Sequence, residues 1–302
     1  MEVQESKQKK AAFVAVVGRP SAGKSTLVNS LCGAKVAIVS PVPQTTRNAI
    51  RGIVNRSEGQ LVFVDTPGRH LSERKLNRKL TETAGRAAAE AGLILYVLDA
   101  TRPPGIEEAA VADWLMPSAG RVVAAANKMD SPRADFAEVK AFLQNHLQPL
   151  EAGRCFPVSA LKNEGTGELL ACLFDLAEQG EPFYPEEYYT DQPPEFRIAE
   201  IIREQAINRL REELPHALYV EVADTEMREG NRLWVRAFIL TERDSQKGIV
   251  VGKGGAMIKA IRLAAQRELN LVFDWKVELD LRVKTAHDWR RNDAALRRIL
   301  GA

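Results

Sequence analysis

The chain has 302 residues, 45% hydrophobic and 27% charged, the balance of a globular protein with room for about two domains. A formal net charge of +2 excludes binding driven by whole-chain charge, so contact with a polyanion has to come from a local patch. Cys32, Cys155 and Cys172 lack metal-site spacing and read as reduced, packed thiols of a cytosolic protein. No stretch is long and apolar enough to suggest a membrane span.

Residues 1–10 read as a solvated arm. Ala11–Val17 imitates the apolar part of a secretory signal, but it is short and leads straight into a glycine-rich loop, as a buried first strand does. That loop is Gly18-Arg19-Pro20-Ser21-Ala22-Gly23-Lys24-Ser25-Thr26, followed by the helix-like Leu27–Cys32. Strand, glycine turn, Gly-Lys-Ser and helix is the order a phosphate cradle needs. Gly18 and Gly23 let the backbone curl so that N–H groups point inward, and the helix start adds its positive dipole end. Lys24 can reach terminal phosphates, and the Ser25 hydroxyl can ligate magnesium. The bland alternative is a glycine turn that merely precedes Lys-Ser; the strand–loop–helix context counts against it.

Ser40–Arg47, with Pro41, Pro43, Gln44, Thr45 and Thr46, reads as an exposed loop. Strands over Ala49–Asn55 and Gln60–Val64 follow, joined by Arg56–Gly59. The second runs into Asp65-Thr66-Pro67-Gly68. A carboxylate at this strand end can hold the magnesium shell, and the Gly68 N–H can sense a terminal phosphate. Alone, this tetrapeptide is an ordinary turn; downstream of a phosphate loop the functional reading prevails.

The spacing then predicts a helix over Leu76–Ala91, a strand over Gly92–Leu98 ending in Asp99, and a helix over Ile106–Met116. A strand over Arg121–Ala126 delivers Asn127-Lys128-Met129-Asp130. A helix over Phe136–Leu147 precedes the strand Cys155–Val158, which ends at Ser159-Ala160-Leu161, and Glu168–Gln179 closes this half. Alternating strands and helices predict an α/β, doubly wound, mostly parallel sheet that binds its ligand at the carboxyl strand ends. Guanine offers two donors that Asp130 can accept. Asn127 can donate to the ring, the Lys128 stem can cover it, and the Ser159 and Ala160 N–H groups can meet its carbonyl. Adenine would leave Asp130 unpaired, at a cost of a few kcal/mol.

Taken together, Gly18–Thr26, Gln44–Arg47, Asp65–Gly68, Asn127–Asp130 and Ser159–Leu161 resemble the motifs of P-loop GTPases of the translational class. The resemblance is closest to the Era family of bacterial ribosome-assembly GTPases. It implies that Thr46, or its neighbour Thr45, joins Ser25 and Asp65 around magnesium. It also implies that Lys24, Thr46 and Gly68 carry catalysis by positioning. The family has no glutamine to orient the attacking water, and Arg69 stands where it carries an apolar residue, so no general base is assigned and slow turnover is expected. Ser21 stands where potassium-recruiting relatives place asparagine, which makes potassium a second candidate cation.

Residues 181–195 are rich in Pro, Tyr and Glu and read as a linker. Beyond them the pattern predicts a helix over Phe196–Leu214, strands over Ala217–Val222 and Leu233–Leu240, and a loop over Gly248–Gly255. A helix over Ala256–Leu269, a strand over Leu271–Val283 and a last helical piece over Ala294–Leu300 follow. Gly252-Lys253-Gly254-Gly255 matches the loop with which KH domains clamp a nucleic-acid backbone. A flexible turn explains it equally well in isolation. The order helix–strand–strand–helix–loop–helix–strand favours a type II KH domain, α+β. So do the local cations Arg232, Arg236, Arg243, Lys247, Lys253, Lys259, Arg262 and Arg267. Arg290, Arg291, Arg297 and Arg298 extend the charge into the tail. Trp234, Trp275 and Trp289 read as core, and His287 as a surface residue.

Phe196–Arg203 and Gly248–Gly255 also resemble the second domain of the Era family, so the organisation expected is an arm (1–10), a GTPase domain (11–180), a linker (181–195) and a KH domain with tail (196–302). The resemblance implies GTP, GDP, 16S rRNA near its 3′ end and the 30S subunit as partners. It further implies a monomer in the cytoplasm with peripheral contact at the inner face of the cell membrane. Two rivals remain: a GTPase whose second domain binds protein or membrane, and a small-molecule kinase, which Asn127–Asp130 disfavours.

Overall fold

The computed structural model describes residues 9–43, 45–67, 75–148, 150–151, 153–287 and 289. Gln44, Gly68, Arg69, the tail arginines and the expected helix over Ala294–Leu300 lie outside them. The chain forms two compact units, Met1–Ala37 with Thr46–Asp191, and Ile38–Thr45 with Gln192–Ala302.

The first unit runs β1 (Lys10–Val17), α1 (Lys24–Cys32), β2 (Ile50–Arg56), β3 (Gly59–Asp65), α2 (Lys75–Glu90), β4 (Leu93–Asp99), α3 (Ile106–Leu115), β5 (Val122–Asn127), α4 (Phe136–His146), β6 (Cys155–Pro157) and α5 (Thr166–Leu176). Its six-stranded sheet has the order β2-β3-β1-β4-β5-β6 and is parallel except for β2 against β3. Strands β3, β4 and β5 are buried along their whole length, which is why they read as unbroken apolar runs. One face packs on Leu27, Val28, Leu169, Leu173 and Phe174, the other on Val111, Leu115, Val139 and Leu143. Each such side chain contributes about 1.5–3 kcal/mol by leaving water. The register sets Asp65 beside Val16 and Asp99 beside Asn127, so the polar residues ending β3, β4 and β5 meet at one edge of the sheet.

The stretch expected to be a linker is instead tied along β2 up to Asp191. The Ile53 N–H donates to the Tyr189 carbonyl at 2.9 Å, the Gln60 amide to the Tyr184 carbonyl at 2.8 Å, and Arg51 pairs with Asp191 at 2.8 Å. The physical reason is that β2 is an edge strand, whose outward N–H and C=O groups need partners.

The second unit runs α6 (Pro194–Ile207), α7 (Leu214–Ala217), β7 (Leu218–Arg228), β8 (Arg232–Thr241), α8 (Asp244–Val251), α9 (Ala256–Val272) and β9 (Lys276–Thr285). Its sheet has the order β7-β8-β9, with β8 parallel to β9 and a register shift in β7 between Val222 and Asp224. Ile198, Ile202, Val235, Ile239, Ile261 and Leu269 form its core. The single helix expected over Phe196–Leu214 is broken: α6 ends at Ile207, Glu212 takes φ +57°, and one turn resumes at Leu214. Gly248–Val251, expected as loop, is the last turn of α8, ended by Gly252 at φ +73°. Leu271 belongs to α9, and the last strand begins at Lys276. Within this unit the Val39 N–H donates to Glu204 at 2.8 Å, and Arg203 donates to the Thr45 carbonyl at 2.7 Å.

Trp289 is buried and donates its indole N–H to the Ala217 carbonyl at 3.0 Å. Trp275 stacks on Phe273 at the margin of the core. Trp234 departs from the expectation. It sits on the face of β8 opposite the core residues Leu233 and Val235, flanked by the guanidinium groups of Arg228 and Arg236 at 5.1 and 4.8 Å. His287 is exposed, as expected. Among the described residues no helix is long and apolar enough to cross a membrane.

Candidate nucleotide site and nucleic-acid loop

The phosphate loop is built by two glycines at which any side chain would be strained. A Cβ on Gly18 (φ +148°) would lie 2.4 Å from the Val97 carbonyl oxygen, and one on Gly23 (φ +92°) would lie 2.4 Å from the Asn127 amide nitrogen. Gly23 caps α1, and no side chain makes a capping hydrogen bond there. Such an end presents unpaired N–H groups to an anion. Lys24 is buried and donates to the carbonyls of Gly18 and Arg19 at 3.2 and 3.0 Å, curled over its own loop. Burial pulls its ammonium down to about 8, and nearby Arg19 adds to this while Asp65 opposes it. Ala22 is buried, Ser21 takes φ +62°, and Thr26 lies in the first turn of α1.

Ser25, Thr46 and Asp65 converge. The Ser25 Oγ donates to Asp65 Oδ2 at 2.6 Å and lies 2.9 Å from Thr46 Oγ1, which is 3.4 Å from the same carboxylate oxygen. Thr45 instead donates to the Val42 carbonyl at 2.6 Å, so of the two threonines it is Thr46 that meets Ser25 and Asp65. Burial raises Asp65, with Lys24, Ser25 and Thr46 opposing. Among the described residues its Oδ1 is buried without a hydrogen-bond partner. Two hydroxyls and a carboxylate with an orphaned oxygen fit a hard cation such as magnesium. Thr66 is fully buried and donates to the Val16 carbonyl at 2.7 Å, and Pro67 is buried beside it, so these two shape the strand end.

At the other end of the loop, Asn127 is held by the protein itself. It is 1% exposed, donates to the Ala22 carbonyl at 3.0 Å, and accepts from the N–H groups of Lys128 and Ala160 at 2.8 and 3.0 Å. It ties the phosphate loop to the loop after β6, with one amide N–H left over. The Ser159 N–H goes to the Glu164 carbonyl at 3.0 Å, so neither it nor the Ala160 N–H is open to a guanine carbonyl here. Among the described residues the Leu161 N–H makes no hydrogen bond, and the Leu161 side chain is exposed. Asp130 is half-buried and accepts from the Ser159 hydroxyl at 2.7 Å, which orients its carboxylate; the Met129 N–H donates to the Val158 carbonyl at 3.1 Å. Lys128 reaches the Ser21 carbonyl at 2.9 Å and Asp99 at 2.7 Å. Asp99, with Thr101 and Glu108 behind it, is the part of this site the motifs missed; the only trace was an apolar strand ending in an acid.

In the second unit, Gly252, Gly254 and Gly255 take φ of +73°, +60° and +79°, linking α8 to α9 through Lys253. A Cβ on Gly252 would meet Met257, whereas one on Gly254 meets nothing within 4 Å. Arg232 and Arg236 of the expected cation cluster are paired, with Glu278 and Asp280 at 3.1 Å each, which reduces the charge they can offer.

A parallel sheet with a phosphate loop, a hydroxyl–carboxylate cation site and a base-reading edge, joined to a unit with a glycine loop between two helices, defines a P-loop GTPase carrying a KH domain. Residues 13–128 match the family of 50S ribosome-binding GTPases and residues 213–290 the KH domain family. GTPase Era of Treponema denticola is 50% identical over 96% of this chain and 99% of its own length; Era of Borreliella burgdorferi is 41% identical over 96% and 99%. Two solved Era structures, each 33% identical and covering 96% of this chain and 98% of theirs, superpose with TM-scores of 0.89 and 0.91. The first is the Aquifex aeolicus protein bound to GDP and AlF4−, the second a complex with MgGDPNP and nucleotides 1506–1542 of 16S ribosomal RNA. The chain belongs to the Era GTPase family, and it is a GTPase.

Proposed function

We propose that this chain hydrolyses GTP as a slow switch and binds small-subunit ribosomal RNA near the 16S 3′ end during 30S assembly. The observation that carries the nucleotide half is the meeting of Ser25, Thr46 and Asp65 beside the curled Lys24, with the Asp65 Oδ1 left over. The RNA half is supported by the open Gly252–Gly255 loop and by the Era relative seen with that RNA.

Each residue then has a task. The backbone N–H groups of Gly18–Thr26 hold the phosphates, and Lys24 leaves its own carbonyls to pair with them. Ser25, Thr46 and Asp65 hold magnesium, which when bound neutralises charge between the outer phosphates. Gly68 and Arg69 belong to the same assignment from the resemblance. Asp130 reads guanine, Lys128 covers it, and Asn127 keeps the two loops in register. Catalysis is positioning and charge stabilisation by Lys24, Thr46 and Gly68. Potassium is the second candidate cation; equal hydrolysis rates in potassium and sodium would remove it. A monomeric state, a cytoplasmic place and peripheral membrane contact rest on the resemblance alone.

The test is RNA crosslinking with sequencing, with a GTP analogue and GDP side by side. Crosslinks at the 16S 3′ end that differ between the two nucleotides support the reading. Crosslinks spread over unrelated RNA, or identical with both, contradict it.

A further inference from the structure

We propose that Asp99 is a positioning residue for guanine-nucleotide binding: its carboxylate pins Lys128 against the phosphate loop and thereby sets nucleotide affinity, leaving phosphoryl transfer untouched. Asp99 ends β4 directly beside Asn127, so one residue further along β5 the Lys128 side chain passes over it. The Asp99 Oδ1 is locked by the N–H and hydroxyl of Thr101, at 3.0 and 2.6 Å. That turns Oδ2 toward two cations, Lys128 at 2.7 Å and Arg19 of the phosphate loop at 2.8 Å. The acid therefore joins the two motifs that flank the nucleotide.

The two cations do not depend on it equally. Arg19 is buried with a second carboxylate, Glu108, and donates to the Pro20 carbonyl at 3.0 Å. Lys128 is more exposed and, among the described residues, has only the Ser21 carbonyl besides Asp99. Lys128 and Ser21 both sit in the left-handed region, at φ +71° and +62°, which non-glycine residues seldom adopt. Their contact keeps both in place. A free lysine stem loses much rotamer freedom when a base lies against it. Asp99 orders that stem beforehand, and pre-ordering strengthens binding. Burial opposes ionisation of Asp99, but the hydrogen bonds from Lys128 and Thr101 overcome it and hold the acid below the usual carboxylate range. Among the described residues Asp99 makes no hydrogen bond to Lys24, Ser25, Thr46 or Asp65, and Arg19, which stands between it and Lys24, keeps Glu108 when Asp99 is replaced, so the reacting end is spared.

The test compares Asp99→Asn, Asp99→Glu, Lys128→Met and the double variant Asp99→Asn/Lys128→Met. KM and kcat for GTP are measured separately, together with dissociation of a fluorescent GDP. Asp99→Asn is expected to raise KM and the GDP dissociation rate about tenfold, the loss of one charge-assisted hydrogen bond. Its kcat stays within about twofold of the parent. Asp99→Glu recovers most of the affinity, and Asp99→Asn adds nothing once Lys128 is gone. A fall in kcat with KM unchanged, or an equal effect of Asp99→Asn with and without Lys128, overturns the proposal and leaves a purely structural ion pair. If Asp99→Asn fails to fold, Thr101→Val unlocks the carboxylate and keeps its charge. A KM raised about threefold then supports the proposal, and an unchanged KM overturns it.

Discussion

The Ser25 hydroxyl and the Asp65 carboxylate lie 2.6 Å apart, across the junction between the phosphate loop and β3, and the second Asp65 oxygen is buried with no hydrogen-bond partner among the described residues. A buried acceptor in that condition is costly unless a cation completes it. Asp65→Ala removes the carboxylate and is expected to lower kcat for GTP by roughly a hundredfold or more. Titrating magnesium into parent and variant checks this; the parent should show a saturating dependence that the variant lacks.

The base edge makes a sharper chemical prediction. Asp130 is oriented by the Ser159 hydroxyl at 2.7 Å. Asp130→Asn replaces one acceptor oxygen by an N–H₂ donor, which suits xanthine, whose ring carries a carbonyl where guanine has its amino group. Preference for GTP over XTP should fall by about a hundredfold, close to the worth of a charged hydrogen-bond pair. Steady-state competition between the two nucleotides measures it.

Lys24 predicts a pH dependence with a definite sign. In the free protein burial holds its ammonium at about 8, and phosphates that pair with it stabilise the charged form. Binding therefore takes up a proton above that value, and GTP affinity should weaken by up to about one log unit per pH unit from pH 8 upward. The same depressed value makes the folded protein bind fewer protons than the unfolded chain between about 8 and the ordinary 10.5, so this lysine's contribution to stability rises with pH in that window. Calorimetric titrations across pH 7–10 on parent and Lys24→Met check both, and the variant should be flat.

The G-domain sheet was legible because its strands are buried on both faces and so read as unbroken apolar runs ending in polar motifs. Thr45 and Thr46 could not be separated by sequence, since adjacent threonines differ only in where the backbone turns them; in the structure it is Thr46 that lies 2.9 Å from Ser25. Asn127 carries a second task that its motif does not show, for a related reason. Its motif says which polar groups are available, whereas its burial under Ala22 and Ala160 says which are already used. The strap from Phe183 to Asp191 has no apolar period at all, because backbone and Gln60 hydrogen bonds hold it. Helix ends in the second unit were missed where glycine terminates a turn instead of beginning a loop, as Gly252 does after α8.

Two of the glycines near Lys253 should differ in what their replacement costs. Gly252→Ala places a Cβ 2.9 Å from the Met257 backbone nitrogen at φ +73°, so it should lower the melting temperature of the second unit. Gly254 is open around its missing side chain, and replacing it costs only about 1–2 kcal/mol of left-handed strain.

Two separate loops are assigned two different polyanions, the Gly18–Thr26 loop a nucleotide and the Gly252–Gly255 loop an RNA backbone. The direct measurement is fluorescence anisotropy of a labelled 16S 3′-end oligonucleotide with parent and Gly254→Asp, with GTP turnover followed in the same samples. The account predicts RNA affinity reduced about tenfold or more by the added carboxylate, with kcat and KM for GTP unchanged. RNA binding equal in the two proteins would contradict it.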